Sequence, residues 1–147
     1  MLRGAAQNQP PARGAVVLET AIVLGVCILL FFAIFEYGRL FMIWELMNNA
    51  AREGTRQAAA NTSSLATSDI QQTVTKYLAG QQLNNLNIQV YQADATGNNI
   101  GIWTDAGFGQ GIAVQIDADF VPLLPAYGIL SKTLHISVKS LTRSEAN

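Results

Sequence analysis

Cysteine occurs once in these 147 residues, at Cys27, so no intramolecular disulfide can form and a four-thiolate metal site is excluded. Cys27 lies inside an apolar run and reads as a small packing residue. Histidine also occurs once, so a Ser-His-Asp or Cys-His site would have to use His135, and no nucleophile and base can be paired around it. Charge is sparse too: charged side chains make up 13% of the chain and the formal net charge is -1, which leaves no basic surface and speaks against a nucleic-acid partner. The expectation from these shortages is a protein that is not an enzyme and carries no cofactor or metal.

What the sequence does have is one long apolar stretch. Between Arg13 and Arg39, sixteen uncharged residues run from Thr20 to Phe35. Taken from Ala15 to Phe35, a helix would be roughly 31 Å long at about 1.5 Å per residue, enough to cross a bilayer. No small-x-small site closes the run, because Ala33-Ile34-Phe35 is followed by Glu36, so an ordinary cleaved secretory signal is disfavoured. The residue to explain is Glu19. A carboxylate at mid-membrane costs up to about 2.5 to 3.5 kcal/mol on insertion scales. One reading places it a turn inside the segment, with its side chain reaching the headgroups. The other uses its spacing from Gly14: if the chain were cut after Gly14, the new amine of Ala15 and the Glu19 carboxylate would stand at i and i+4 on one helix face. A carboxylate that neutralises an N-terminal ammonium, its own or a neighbouring subunit's, enters an apolar bundle at lower cost than either charge alone.

Three short motifs carry a resemblance. Arg13-Gly14-Ala15-Val16-Val17-Leu18-Glu19, then Phe35-Glu36-Tyr37-Gly38-Arg39-Leu40, then Asn48-Asn49-Ala50-Ala51-Arg52-Glu53-Gly54-Thr55-Arg56, in this order and spacing, resemble the TadE-like minor pseudopilins of the tight-adherence (Tad/Flp) pilus machinery. Thr20 stands where that family usually has an aromatic residue, and Gly25 lies near where many members have proline. The resemblance implies cleavage by a prepilin peptidase between Gly14 and Ala15, an assembly role for Glu19, and a pilin-like N-terminal helix. It also implies as partners other pilins or pseudopilins of the same system and the pilus assembly platform with its ATPase, and a part in adhesion or biofilm formation.

The expected organisation is a cytoplasmic leader over 1–14, a transmembrane helix over 15–36 and one periplasmic or extracellular domain over 37–147. Counts of Lys and Arg on the two sides do not decide orientation. The short leader and long C-terminal part favour N-in, in a bacterial inner membrane as the resemblance implies. The membrane-interface residues are read as Glu36, Tyr37, Arg39 and Trp44, with Phe41 among the aromatics.

Beyond the membrane, Leu40, Trp44, Met47, Ala51, Gly54 and Ala58 recur at steps of four and three, which predicts that the helix runs to about Ala60 with that stripe facing a core. Asn61 to Thr67 is a break. Ser68-Asp69-Ile70-Gln71 has the form of a capping box, predicting a short helix with Ile70, Val74 and Tyr77 on one face, ending at Gly80. From Leu86 the period becomes two. Ile88 and Val90, then Ile112 to Phe120, then Leu134, Ile136 and Val138 mark three strands, each with one polar face. Ile100 to Trp103 is a fourth, short one, and Pro122 and Pro125 end the middle strand. The fold class is therefore α+β, with an antiparallel sheet of three or four strands packed on the outer half of the long helix.

Chemistry in this domain is thin. His135 falls on the exposed face of the last strand and reads as a solvated polar residue. Asp117 and Asp119 share a strand face and could offer oxygens to calcium with Asp94 or Asp105, but no continuous calcium loop is present and the solvated face is preferred. Gly107-Phe108-Gly109-Gln110-Gly111 is glycine-rich, yet it leads into a strand and reads as a turn. The leading expectation is a structural assembly protein; the alternative is an uncleaved single-pass membrane protein whose outer domain binds a partner.

Overall fold

A computed structural model describes residues 13–62, 64–78, 80–81, 83–123 and 133–145. Of the expected leader only Arg13 and Gly14 are among these, and Pro125 lies outside them. The chain divides into two compact units, the N-terminal unit up to Phe35 and the outer unit from Glu36. Helix α1 spans Arg13–Ala60 and contributes to both. It is followed by α2 (Thr67–Tyr77), β1 (Asn84–Ala93), β2 (Asn99–Gly101), a 3-10 turn (Trp103–Asp105), β3 (Gly111–Phe120) and β4 (Leu134–Arg143).

The strands form one antiparallel sheet in the order β2-β1-β3-β4. Its register puts Ile88, Ile116 and Val138 in one row and Val90, Val114 and Ser140 in the next. This is the apolar face read from the period-two pattern, and Ile112, Val114, Ile116, Ala118, Phe120, Ile136 and Val138 are all buried on it. The fold is the α+β architecture expected, with four strands.

On α1 the buried stripe is Ile43, Met47, Ala50, Ala51, Gly54 and Ala58. It is rotated slightly from the expected one: Trp44 is 42% exposed and Leu40 only half-buried, while Ile43 and Ala50 face the core. The small residues at the far end of the stripe have a geometric cause. A Cβ placed on Gly54 would lie 2.6 Å from Val74 Cγ2, with Val114 Cγ1 and Ile70 Cγ2 at 3.6 and 3.7 Å. Gly54 is thus where α1, α2 and β3 converge, and the roughly 1 kcal/mol that glycine costs a helix is offset by that close approach.

α2 begins two residues from where the sequence pattern put it. Its N-cap is Ala66, and the Asp69 carboxylate accepts the Ala66 N–H at 3.0 Å, so Asp69 takes the role expected of Gln71. Gln71 instead donates from Nε2 to the Ile88 carbonyl of β1 at 3.0 Å, tying the helix to the sheet. Thr67 Oγ1 accepts the indole N–H of Trp103 at 2.8 Å. Gln71 and Thr67 are thus committed to partners distant in sequence, which a local capping motif cannot foresee. The helix ends at Tyr77 with Leu78 as C-cap; Leu78 joins Ile70 and Val74 in the core, and Tyr77 is exposed.

Two further expectations are corrected. The short fourth strand stops at Gly101, and Trp103 turns inward in the 3-10 turn, where it is the largest fully buried side chain. Tyr91, which alternation with Ile88 and Val90 puts on the polar face of β1, is buried there beside Ala93 and Ala113. Its hydroxyl donates to Gln115 Oε1 at 3.1 Å, so the ring is covered while its polar end is satisfied.

The Gly54 contact gives a direct check. In urea unfolding of the detergent-solubilised chain, Gly54→Val is expected to destabilise the outer unit by about 1 to 3 kcal/mol through overpacking against Val74. Gly54→Ala should cost less, because about 1 kcal/mol of helix propensity is recovered. A Gly54→Val protein as stable as the parent would show that the three elements do not meet there.

Candidate functional site

The described part of the N-terminal unit is a single helical segment. Every side chain from Gly14 to Phe35 is exposed, including Val16, Leu18, Ile22, Leu29, Phe31 and Phe35. It is long and apolar enough to cross a membrane. Gly14, Ala15 and Glu19 all lie in its first turns, so Ala15 and Glu19 do stand one helical turn apart on one face. Among the described residues Glu19 has no hydrogen-bond or ion-pair partner. Thr20, by contrast, is self-satisfied: its hydroxyl donates to the Val16 carbonyl at 2.8 Å, so it adds no unpaired polar group to the apolar surface. Cys27 is exposed on the same segment.

At the start of the outer unit, Glu36 and Arg39 do more than flank an apolar run. They are i, i+3 neighbours, and Arg39 Nη2 donates to Glu36 Oε1 at 3.0 Å. The same nitrogen donates to the Val121 carbonyl, and Glu36 Oε1 also accepts the Leu123 N–H at 3.0 Å. The guanidinium carbon lies 4.5 Å from the centre of the Phe120 ring, close enough for a cation–π contact. The pair therefore clasps the chain as it leaves β3. Tyr37 and Phe41 are turned away from this clasp and exposed; Phe41 and Trp44 rings lie 5.9 Å apart. Tyr37, Leu40, Phe41 and Trp44 line an open groove of about 470 Å³ against Leu134–Ser137 of β4.

The outer sheet face holds the remaining polar candidates, and they serve one another. His135 Nδ1 lies 3.0 Å from Asp119 Oδ1, whose other oxygen accepts from Asn85 Nδ2 at 2.7 Å; Asn85 first, then His135, holds the Asp119 carboxyl below its usual range. Asp117 accepts both of its bonds from Gln115 Nε2. Asp94 is occupied in closing the β1–β2 loop: its carboxylate accepts from the Thr96 hydroxyl and amide and from the Asn98 amide and side chain, and these bonds, the Thr96 hydroxyl foremost, pull its carboxyl down to about 2. Among the described residues no group of three His, Cys, Asp or Glu side chains is placed to hold a metal ion. In the glycine-rich loop, the Gly107 amide donates to Gln110 Oε1, the Gly109 amide to the Ser144 carbonyl and the Gln110 amide to the Gly107 carbonyl. With three of its amides engaged inside the chain, that loop cannot cradle a phosphate.

It is on α1 that the chain is similar to a known family. Residues 14–56 match the TadE-like protein family. This segment is TadE-like. The match opens at Gly14 and closes at Arg56, so it takes in Glu19, the Glu36-Tyr37-Gly38-Arg39 motif and the Asn48-to-Arg56 motif. No curated protein and no solved structure matches the chain. Within the TadE-like segment, sequence reasoning identified Glu36 and Arg39 but not their clasp, whose partners lie more than eighty residues away.

Arg39→Met keeps the length of the side chain but removes every donor. It is expected to destabilise the outer unit by about 1 to 3 kcal/mol, the range for losing hydrogen bonds to a charged group, measured by urea unfolding of the solubilised chain. Glu36→Gln, which still offers an oxygen to Leu123, should cost less. Equal stability of Arg39→Met and the parent would rule out the clasp.

Proposed function

We propose that this chain is a minor pseudopilin, a structural subunit that is assembled into a Tad/Flp pilus or primes its assembly after a prepilin peptidase cuts between Gly14 and Ala15. The observation that carries the reading is Glu19: a carboxylate on a fully exposed apolar helix, without a partner among the described residues, four residues beyond the position that cleavage would make a free amine. The TadE-like match beginning at Gly14 supports it.

In this reading the chain waits in the bacterial inner membrane with its N-terminus in the cytoplasm and the outer unit in the periplasm. Glycine is a weak helix former and the first turn of a helix frays readily, so the Gly14–Ala15 peptide can open into the extended form a peptidase needs. Cleavage removes the leader and leaves an ammonium on Ala15. Glu19 then pairs with that ammonium, or with the one on an adjoining subunit, as the apolar helices pack side by side. The partners are the peptidase, sibling pilins or pseudopilins, the assembly platform with its ATPase, and lipid; the contribution is structural, serving adhesion and biofilm formation, and not enzymatic.

Intact mass of the chain extracted from membranes, with and without the peptidase, tests this directly. The expected product begins at Ala15. A parallel Glu19→Gln variant should keep its outer unit folded and be processed, yet fail to support piliation. A chain that keeps Met1 in cells that process other prepilins would contradict the reading and favour an uncleaved membrane-anchored interaction module.

A further inference from the structure

Folding leaves apolar surface bare at one corner of the outer unit, where the clasp fastens the exit of β3 to the start of the unit. Val121 is 43% exposed and Leu123 62% exposed, although both are held in place by main-chain bonds to Arg39 and Glu36. On the outward side of the same helical turns, Tyr37 and Phe41 are exposed as well. Among the described residues Val121 and Leu123 are thus pinned and yet uncovered, which marks a contact surface.

Its position along the chain says which surface. Glu36 directly follows Phe35, the last residue of the apolar run, and Arg39 is one turn further, about 6 Å at about 1.5 Å per residue. The polar layer on each side of a bilayer is about 5 to 7 Å deep. Any residue hydrogen-bonded to Glu36 must therefore stay within reach of the membrane boundary, whatever angle the outer unit adopts. The two charges that could object to this location neutralise each other, and their hydrogen bonds are directed at the Val121–Leu123 main chain.

We propose that the Val121–Leu123 corner, together with Tyr37 and Phe41, is a second membrane contact: it seats against the lipid headgroup boundary and fixes the outer unit on the bilayer before assembly. This rests on the reading of Ala15–Phe35 as the membrane-spanning segment, but not on cleavage or on pilus assembly. The occupant is the lipid surface itself. Tyrosine and phenylalanine suit that boundary, with apolar rings toward the chains and the Tyr37 hydroxyl toward water.

The test uses the full-length, uncleaved chain in phosphatidylcholine nanodiscs, with Cys27→Ala as background and an NBD fluorophore on a single introduced cysteine. One variant carries Leu123→Cys. The control carries Arg143→Cys, an exposed position paired with Gly111 at the opposite end of β3, about 30 Å from Phe120 at about 3.3 Å per strand residue. At position 123 the emission is expected to shift to the blue and to lose most of its intensity when nitroxide-headgroup lipid is included, with little loss to aqueous iodide. At position 143 iodide should quench and the lipid nitroxide should not. Iodide quenching at 123 equal to that at 143 would overturn the proposal, and so would a label at 123 shielded from both quenchers, which would mean that protein covers the corner. Because uncleaved protein is used, failure here is distinguishable from failure of the pseudopilin reading, which is decided by the mature N-terminus.

Discussion

Glu19 stands on a segment whose every described side chain is exposed and almost all of whose residues are apolar, and it has no partner among the described residues. Such a surface needs a non-aqueous environment, and such a carboxylate is costly there unless it is paired or reaches the headgroups. In the proposed reading both needs are met where apolar helices pack against one another and one of them brings a positive charge. The N-terminal ammonium released at Ala15 would supply it with no additional side chain, and its helical spacing from Glu19 would let the charge travel with the acid. The proposed function rests on this one electrostatic pairing.

The outer unit answers a different requirement. It must fold around the other half of the same helix, and a 48-residue helix offers only a narrow stripe to work with. The stripe passes from Ile43 and Met47 to Ala50, Ala51, Gly54 and Ala58, so the packing tightens along it until α1, α2 and β3 meet at the missing Cβ of Gly54. Near the other end of this stripe, Glu36 and Arg39 secure the loop after β3 through main-chain bonds. A single helix thereby supplies the core ridge and the clasp in one unit and the membrane-competent surface in the other.

How much of this could be read from the sequence depended on whether the relevant interaction was local. The apolar run, the extent of α1 and the inner face of each strand follow from periodicity, which is a property of neighbouring residues. The one-turn spacing of Ala15 and Glu19 is legible for the same reason, because it spans only a few residues. The phase of the α1 stripe was off because Trp44, although apolar, sits at the rim while Ile43 faces inward. α2 was misplaced because Ser68 and Gln71 fit a capping box that Asp69 completes instead, while Gln71 is drawn to Ile88 across the core. Tyr91 and Trp103 were missed because each is buried around one hydrogen bond to a distant side chain, Gln115 and Thr67. The clasp of Glu36 and Arg39 on residues 121–123 is the extreme case, because nothing near either side chain in the sequence announces it.

The most direct test of the central claim is the distance between the Ala15 amine and a Glu19 carboxylate in the assembled state. It can be measured by solid-state NMR on the mature chain incorporated into pili or pilus-base complexes, with 15N at the Ala15 amine and 13C at the Glu19 side chain. The account expects a contact within about 4 Å, the reach of an ion pair, inside one subunit or between neighbours. A Glu19 carboxylate with no N-terminal nitrogen near it in functional assemblies would contradict it.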